Sequence, residues 1–281
     1  MLYKMFSSFK NYLFPIDYEE IIQNKIKESN ILLLQKKFTE ASEKLHEAIL
    51  VYKKTNDYLN NYEYIQTLYK YKNCVKEFDI HSTIKICNRL LTIHDQKGDF
   101  NKSCKICEEI AELCEKIESF PDAINYYHTA IDRYKLNSSS LIGISNLQEK
   151  IANLISFQQS VLNYKDAYLL FEKLGKNSKF SKKTFYTKAI LCILSYNDIV
   201  LAKIKLVEYS EDYVDFLSSI EYNFINGIIV SIENNNVEKF EDSCFTYDKI
   251  TILDKWKINI LTHIKQLNFE ECEENEEIDL S

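Results

Sequence analysis

The residues best suited to chemistry in this sequence are its eight cysteines. Cys104 and Cys107 form a CxxC pair, a spacing that occurs in zinc sites and in thiol redox sites. A structural zinc site needs four ligands, but the sequence has no second CxxC pair and no histidine at ligand spacing. The pair also lies within a predicted helix. The cysteines are therefore predicted to be small packing residues in a reducing compartment, and no metal ligand is assigned.

The histidines and carboxylates form no catalytic pattern either. The five histidines stand singly on predicted helices. The carboxylates alternate with lysines, which is typical of solvent-exposed helix faces. The motifs GxxxxGK, GxGxxG, HExxH and GxSxG do not occur in the sequence. No catalytic residue and no cofactor is assigned, so a binding scaffold is the function class that remains.

Helices are the elements expected to position all these residues. Four glycines and two prolines are too few for the turns of a sheet protein. An aromatic residue followed by small residues lets a neighbouring helix approach closely, and this arrangement recurs along the chain. Helical units of roughly 20 residues, used in antiparallel pairs, predict an all-α, tetratricopeptide-like solenoid. The same spacing occurs in two sets of residues. The first set is Phe38, Ala41, Ala48, Ile49 and Tyr52, and the second is Phe120, Ala123, Ala130, Ile131 and Tyr134.

The periodicity and the turn residues together predict about thirteen helices without a linker long enough to separate domains. Asn, Asp, Ser and Gly mark the predicted boundaries, because these residues favour helix caps and tight turns. The predicted helices are 17–34, 38–54, 58–76, 79–95, 99–117, 120–135, 141–159, 163–174, 179–196, 198–209, 212–233, 237–250 and 254–269.

The two ends of the chain differ from the solenoid region at 17–269. Residues 1–16 are rich in aromatic residues and contain two lysines. They are too few to span a bilayer, which needs about 20 apolar residues. Two interpretations remain open for this segment, a shallow insertion into a lipid interface and a cap on the first helix. Residues 270–281 carry seven carboxylates and no basic residue, and they are either a solubilising tail or an acidic arm for a basic partner.

The net charge of −7 argues against nonspecific nucleic-acid binding by the whole chain. Six stretches then follow one another in a fixed order, and together they are similar to the soluble NSF attachment proteins, especially the alpha type. The resemblance extends from about Phe6 to Leu280. The stretches are KGDFNKSCKICEEIAELCE, DAINYYHTAIDRYK, NSSS followed by EKIANL, NYKDAYLLFEKLG, KKTFYTKAILCILSYNDIVLAKIKL and FEDSCFTYDKITILDKWKINILTHIKQL.

The resemblance implies a non-catalytic adaptor. Members of this family are right-handed helical solenoids that end in a C-terminal helical bundle, expected here from about residue 198. They coat the four-helix bundle of an assembled SNARE complex and recruit the hexameric ATPase NSF, which unwinds it. The implied location is the cytoplasm, peripheral to the cytosolic face of membranes, and the implied process is vesicle fusion and intracellular transport.

The resemblance also implies site residues. Lys105, Lys150 and Lys183 match basic residues of the concave surface that meets the SNARE bundle, whereas Asn146 replaces a further one. Lys105 could equally be an ordinary solvated helix residue.

The remaining implied residues concern NSF and the membrane. Asp198, Glu233 and Leu280 match residues used toward NSF. The acidic group around Glu233 is thinner here, because Val230 and Asn234 stand at two of its positions. The N-terminal residues that match an apolar, membrane-touching loop of the family are Phe6, Phe9, Leu13 and Phe14.

Three hypotheses follow from the sequence. The first is the SNARE-disassembly adaptor. The second is a generic helical-repeat scaffold for another protein complex, which would need no aligned lysines. The third is a metal-dependent or hydrolytic enzyme, which would need His and Cys to converge on a pocket.

Overall fold

The computed structural model describes residues 17–136, 141–158 and 160–269, and in these ranges every regular element is an α-helix. The all-α helical-repeat prediction is confirmed. The helices are α1 (Tyr18–Leu34), α2 (Phe38–Tyr52), α3 (Tyr62–Val75), α4 (Ile80–Gln96), α5 (Phe100–Lys116), α6 (Phe120–Leu136), α7 (Leu141–Phe157), α8 (Val161–Asn177), α9 (Lys182–Ser195), α10 (Ile199–Asp212), α11 (Val214–Leu217), α12 (Ile220–Glu233), α13 (Val237–Asp248) and α14 (Lys255–Phe269).

Three pairs of sequential helices are joined by short turns with a common design, at Gly98, Asn197 and Asn235. One residue takes a left-handed conformation and the next caps the following helix. Gly98 has φ +68° and precedes Asp99, whose carboxylate accepts the backbone N–H of Lys102. Asn197 repeats this arrangement with φ 63° before Asp198. Such turns reverse the chain within three residues, so sequential helices must lie side by side.

Two predicted helices differ most from the structure, and one of them, 58–76, begins only at Tyr62 after its cap Asn61. The sequence predicted a single helix over 212–233, but α10 ends at Asp212, α11 is a four-residue helix, and α12 begins after Ser219. The hydroxyl of Ser219 accepts the backbone N–H of Tyr222 and thereby caps α12. Phe216 is fully buried, so the short α11 is fixed by its packing into the core. Tertiary contacts overrode the helical periodicity here.

The chain forms two compact units, residues 1–139 and 140–281. In the first unit, polar bridges connect every second helix, as a stacked repeat requires. Lys72 on α3 pairs with Glu109 on α5 at 2.6 Å, and Arg133 on α6 pairs with Asp95 on α4 at 2.8 Å. The partners are about one repeat apart in sequence. These bridges hold α3 beside α5 and α4 beside α6.

A buried histidine joins three helices of the first unit. His94 on α4 lies 2.9 Å from the Tyr69 hydroxyl of α3, and its Nδ1 lies 3.5 Å from the Asp99 carboxylate at the start of α5. Burial lowers the pKa of His94 below the ordinary value of 6.5, although Asp99 opposes this shift. The imidazole is therefore held neutral at physiological pH.

This histidine should make stability depend on pH below 6.5. The unfolded state binds the proton first as the pH falls, so folding stability is lost between 6.5 and the lowered pKa of the folded state. We expect the urea midpoint to fall more between pH 7.5 and pH 5.5 in the wild type than in His94→Gln. Equal falls in the two proteins would contradict this assignment.

The second unit is built around α9. Every residue of α9 from Phe185 to Ser195 is buried, and the helix contacts α8, α10, α12 and α14. Lys188, 5% exposed, pairs with Glu149 at 2.7 Å and lies over the rings of Phe171 and Trp256. The expected start of the C-terminal bundle near residue 198 remains a prediction, but the helix at the centre of the packing lies before that position.

Candidate interaction surfaces

Lys105 is held at the surface by the amphipathic pattern of α5. Cys104, Ile106 and Cys107 on the same helix are buried, which leaves Lys105 facing solvent. Among the residues that the structure describes, Lys105 has no hydrogen bond or ion pair. Its charge is therefore available to a partner.

The side chains of Lys150 and Lys183 are less exposed to solvent than that of Lys105. Both are partly buried, Lys150 on α7 and Lys183 in the first turn of α9. The Lys183 ammonium lies 6.0 Å from the centre of the Tyr213 ring, and the adjacent Lys182 pairs with Asp212 at 2.8 Å. These contacts fix the start of α9 against the junction of α10 and α11.

One residue near Lys183 was missed by the sequence interpretation. Phe180, in the short turn between α8 and α9, is 98% exposed. It lies next to Lys179 and close in sequence to Lys183, so an apolar group accompanies the cations. The pattern Lys-Phe-Ser-Lys-Lys in a turn was the available signal, because a buried aromatic is rarely placed between lysines in a loop.

Asp198 and Glu233 lie at the same end of the second unit. Asp198 caps α10, and its Oδ1 accepts the backbone N–H of Leu201 at 2.9 Å. Glu233 is the last residue of α12 and pairs with Lys203 in the first turns of α10 at 2.7 Å. The ion pair brings the start of α10 to the end of α12. Both acidic residues therefore have structural partners as well as exposed oxygen atoms.

The last described residue of the chain lies near the start of α13. Phe269, the last residue of α14, packs on Phe240 in the first turn of α13 with ring centres 5.5 Å apart. The start of α13 follows Glu233 after only three residues. We call the group formed by Asp198, Glu233 and Phe269 the acidic end of the second unit.

Five of the site residues expected from the sequence lie outside the described residues. They are Phe6, Phe9, Leu13, Phe14 and Leu280.

The cysteines of the described ranges are packing residues. Six of the seven in the described ranges are buried, and Cys244 is partly buried. Burial raises the pKa of Cys104 to about 11 and that of Cys107 to about 12, so neither thiol ionises at neutral pH. The described residues contain no cluster of His, Cys, Asp or Glu able to hold a metal ion. No helix in the described part of the chain is long and apolar enough to cross a membrane.

Comparison with solved structures finds helical-repeat proteins at low similarity. BtubC from P. vanneervenii is 14% identical with a TM-score of 0.44, and the match covers 77% of this chain and 90% of that one. The quorum sensor NprR from B. thuringiensis is 16% identical with a TM-score of 0.42, covering 97% and 80%. Likenesses at this level carry no information on function.

Comparison with known sequences is more specific. A vesicular-fusion protein sec17 homologue of Neurospora crassa is 28% identical over 267 residues, which are 91% of this chain and 88% of the relative. The alpha-soluble NSF attachment protein of Vitis vinifera is 26% identical, covering 73% and 72%, and the human one is 27% identical, covering 69% and 66%. The family model of the soluble NSF attachment proteins matches residues 7–267. The chain belongs to the soluble NSF attachment protein family.

Proposed function

We propose that this protein is a non-catalytic adaptor that binds assembled SNARE complexes and recruits the ATPase NSF to disassemble them. The observation that carries the proposal is the family match over residues 7–267. The names of the similar proteins, which refer to vesicular fusion and NSF attachment, support the same role. The protein would act in vesicle-mediated transport, at the cytosolic face of membranes, without a cofactor.

The basic residues are proposed to contact the SNARE bundle. Lys105 supports this best, because it is exposed and unpaired among the described residues. Lys150 and Lys183 are proposed to add to the same contact, with Phe180 supplying an apolar group beside Lys183. Exposed ion pairs are individually weak, so the affinity should be the sum of several contacts and should fall as salt is added.

The acidic end is proposed to contact NSF. Asp198 caps the start of α10, Glu233 pairs with Lys203 of the same helix, and the tail that carries Leu280 follows Phe269 directly in sequence. A single surface could therefore combine the acidic residues with the tail. The proposal assigns Leu280 to stimulation of the ATPase. It assigns Phe6, Phe9, Leu13 and Phe14 to contact with the membrane.

The test is NSF-driven disassembly of a preassembled SNARE complex by the purified protein. The proposal expects ATP-dependent loss of the four-helix complex that requires this protein. If the protein neither binds the complex nor stimulates the ATPase, the adaptor function is overturned and the helical-repeat scaffold for another complex takes its place.

Asp198 allows its charge to be separated from its capping role. Asn caps helices about as well as Asp, whereas Ala does not. We expect Asp198→Asn to keep the wild-type urea midpoint and to weaken NSF stimulation about three-fold to ten-fold. Asp198→Ala should additionally lose about 1 kcal/mol of folding free energy. Unchanged ATPase stimulation in Asp198→Asn would remove this carboxylate from the NSF contact.

A further inference from the structure

The connection between α13 and α14, residues 249–254, carries two of the most exposed aliphatic side chains of the described residues. Ile250 is 70% exposed and Ile252 is 83% exposed. Phe245, in the last turns of α13, is 60% exposed. A connection that only joined two helices would present polar side chains at these positions, because exposed apolar surface is unfavourable in water.

The exposure does not come from a loosely held loop. The backbone N–H groups of Ile250 and Thr251 both donate to the Tyr247 carbonyl, at 3.1 Å and 2.8 Å. The Asp248 carboxylate accepts the N–H of Leu253 at 2.7 Å. Leu253 itself packs against the core of the second unit. The loop is therefore anchored from inside, while its two isoleucines are turned outward.

The acidic and basic groups around the two exposed isoleucines differ in how far they are paired. The Asp254 carboxylate is occupied by Lys257, through the backbone N–H at 2.9 Å and the ammonium at 3.0 Å. Lys255 is exposed and has no ion pair with any described residue. Lys249 is also exposed, and its ammonium lies 4.0 Å from the centre of the Phe245 ring. Two cations thus flank the apolar tip, while the carboxylates of Asp248 and Asp254 are hydrogen-bonded within the loop.

This combination fits a lipid surface better than a protein surface. Side chains as exposed as Ile252 form a projecting tip and not the wall of a groove. A stable protein interface needs about 800 Å² from each partner, far more than these few side chains supply. Shallow insertion of aliphatic and aromatic groups, with lysines at the headgroups, is the usual chemistry of peripheral binding to anionic membranes.

We propose that the segment Phe245–Ile252, with Lys249 and Lys255, is a membrane-contacting loop that binds lipid surfaces bearing anionic headgroups. It is separate from the N-terminal segment proposed above and does not depend on the SNARE or NSF proposals. A single shallow contact binds weakly, so the loop would act together with a second membrane contact.

The test uses full-length protein in which the N-terminal contact is weakened by Phe6→Ser and Phe9→Ser. Flotation with phosphatidylcholine vesicles containing 30 mol% phosphatidylserine should show residual binding. The change Ile250→Asp with Ile252→Asp should lower that binding by about ten-fold. The matched control is Leu162→Asp with Leu169→Asp, two exposed aliphatic residues of α8, which should leave the binding unchanged. Equal loss in both double variants, or no residual binding, would overturn the proposal.

A second readout reports on the loop itself. Trp256 is the only tryptophan of the chain and lies four residues after Ile252 in the sequence. Lipids carrying a quencher near the headgroup should quench its fluorescence in the parent protein and not in Ile250→Asp with Ile252→Asp. Lys249→Glu with Lys255→Glu should abolish the preference for phosphatidylserine vesicles over pure phosphatidylcholine vesicles. Quenching as strong in Ile250→Asp with Ile252→Asp as in the parent protein would place the contact elsewhere and would also overturn the proposal.

Discussion

Reversing the charge at Lys105, Lys150 and Lys183 together is expected to weaken SNARE-complex binding by about 100-fold and to abolish NSF-driven disassembly under physiological salt. Each lysine contributes little alone, but three reversals replace three attractions with three repulsions. The single change Lys105→Glu should account for the largest share of the loss, because Lys105 is more exposed than Lys150 and Lys183 and has no ion pair with a described residue. Binding measured at increasing salt, together with a disassembly assay, checks this result.

The matched control for Lys105→Glu is Lys85→Glu. Lys85 is an exposed lysine of α4, the helix before α5, so the substitution makes the same change in net charge. The control should retain binding within about two-fold. If both variants lose binding equally, the effect is one of overall charge, and Lys105 has no specific place in the SNARE contact.

The second large effect concerns packing in the second unit. Gly175→Ala is expected to lower folding stability by about 2–3 kcal/mol, although Ala favours helices more than Gly does. A Cβ at Gly175 would overlap the ring of Tyr186. That ring cannot move aside, because it stacks on the Tyr209 ring with the two ring centres 4.0 Å apart. Its hydroxyl also donates to the Asp212 carboxylate at 2.5 Å. Urea unfolding of the full chain measures the loss.

Two other glycines serve as controls for this prediction. A Cβ at Gly227 would meet the Ser243 hydroxyl at 2.5 Å, but that side chain can rotate away, so Gly227→Ala should cost little. Gly98→Ala meets no atom within 4 Å and should cost about 1 kcal/mol, through its φ of +68° alone. A Gly175→Ala protein as stable as the Gly227→Ala protein would show that Tyr186 can shift.

The sequence alone was sufficient for the fold class and for most helix boundaries. The sequence predicted the turn at Gly98, because glycine adopts the left-handed conformation at little cost and the following Asp99 can cap a helix. The packing role of Cys104 and Cys107 also followed from helical periodicity. The lysine and acidic residues proposed as contacts came from the family resemblance, which composition and spacing could not have supplied.

Only the tertiary structure shows which of those residues are exposed and which contact other side chains. Lys105 and Lys183 look alike in sequence, yet Lys183 lies near the Tyr213 ring while Lys105 has no partner among the described residues. The break of the predicted helix 212–233, the pairing of Glu233 with Lys203 and the outward turn of Ile252 also depend on packing between helices distant in sequence. Periodicity reports which face of a helix is apolar, but it does not report what lies against that face, and that is set by the three-dimensional packing.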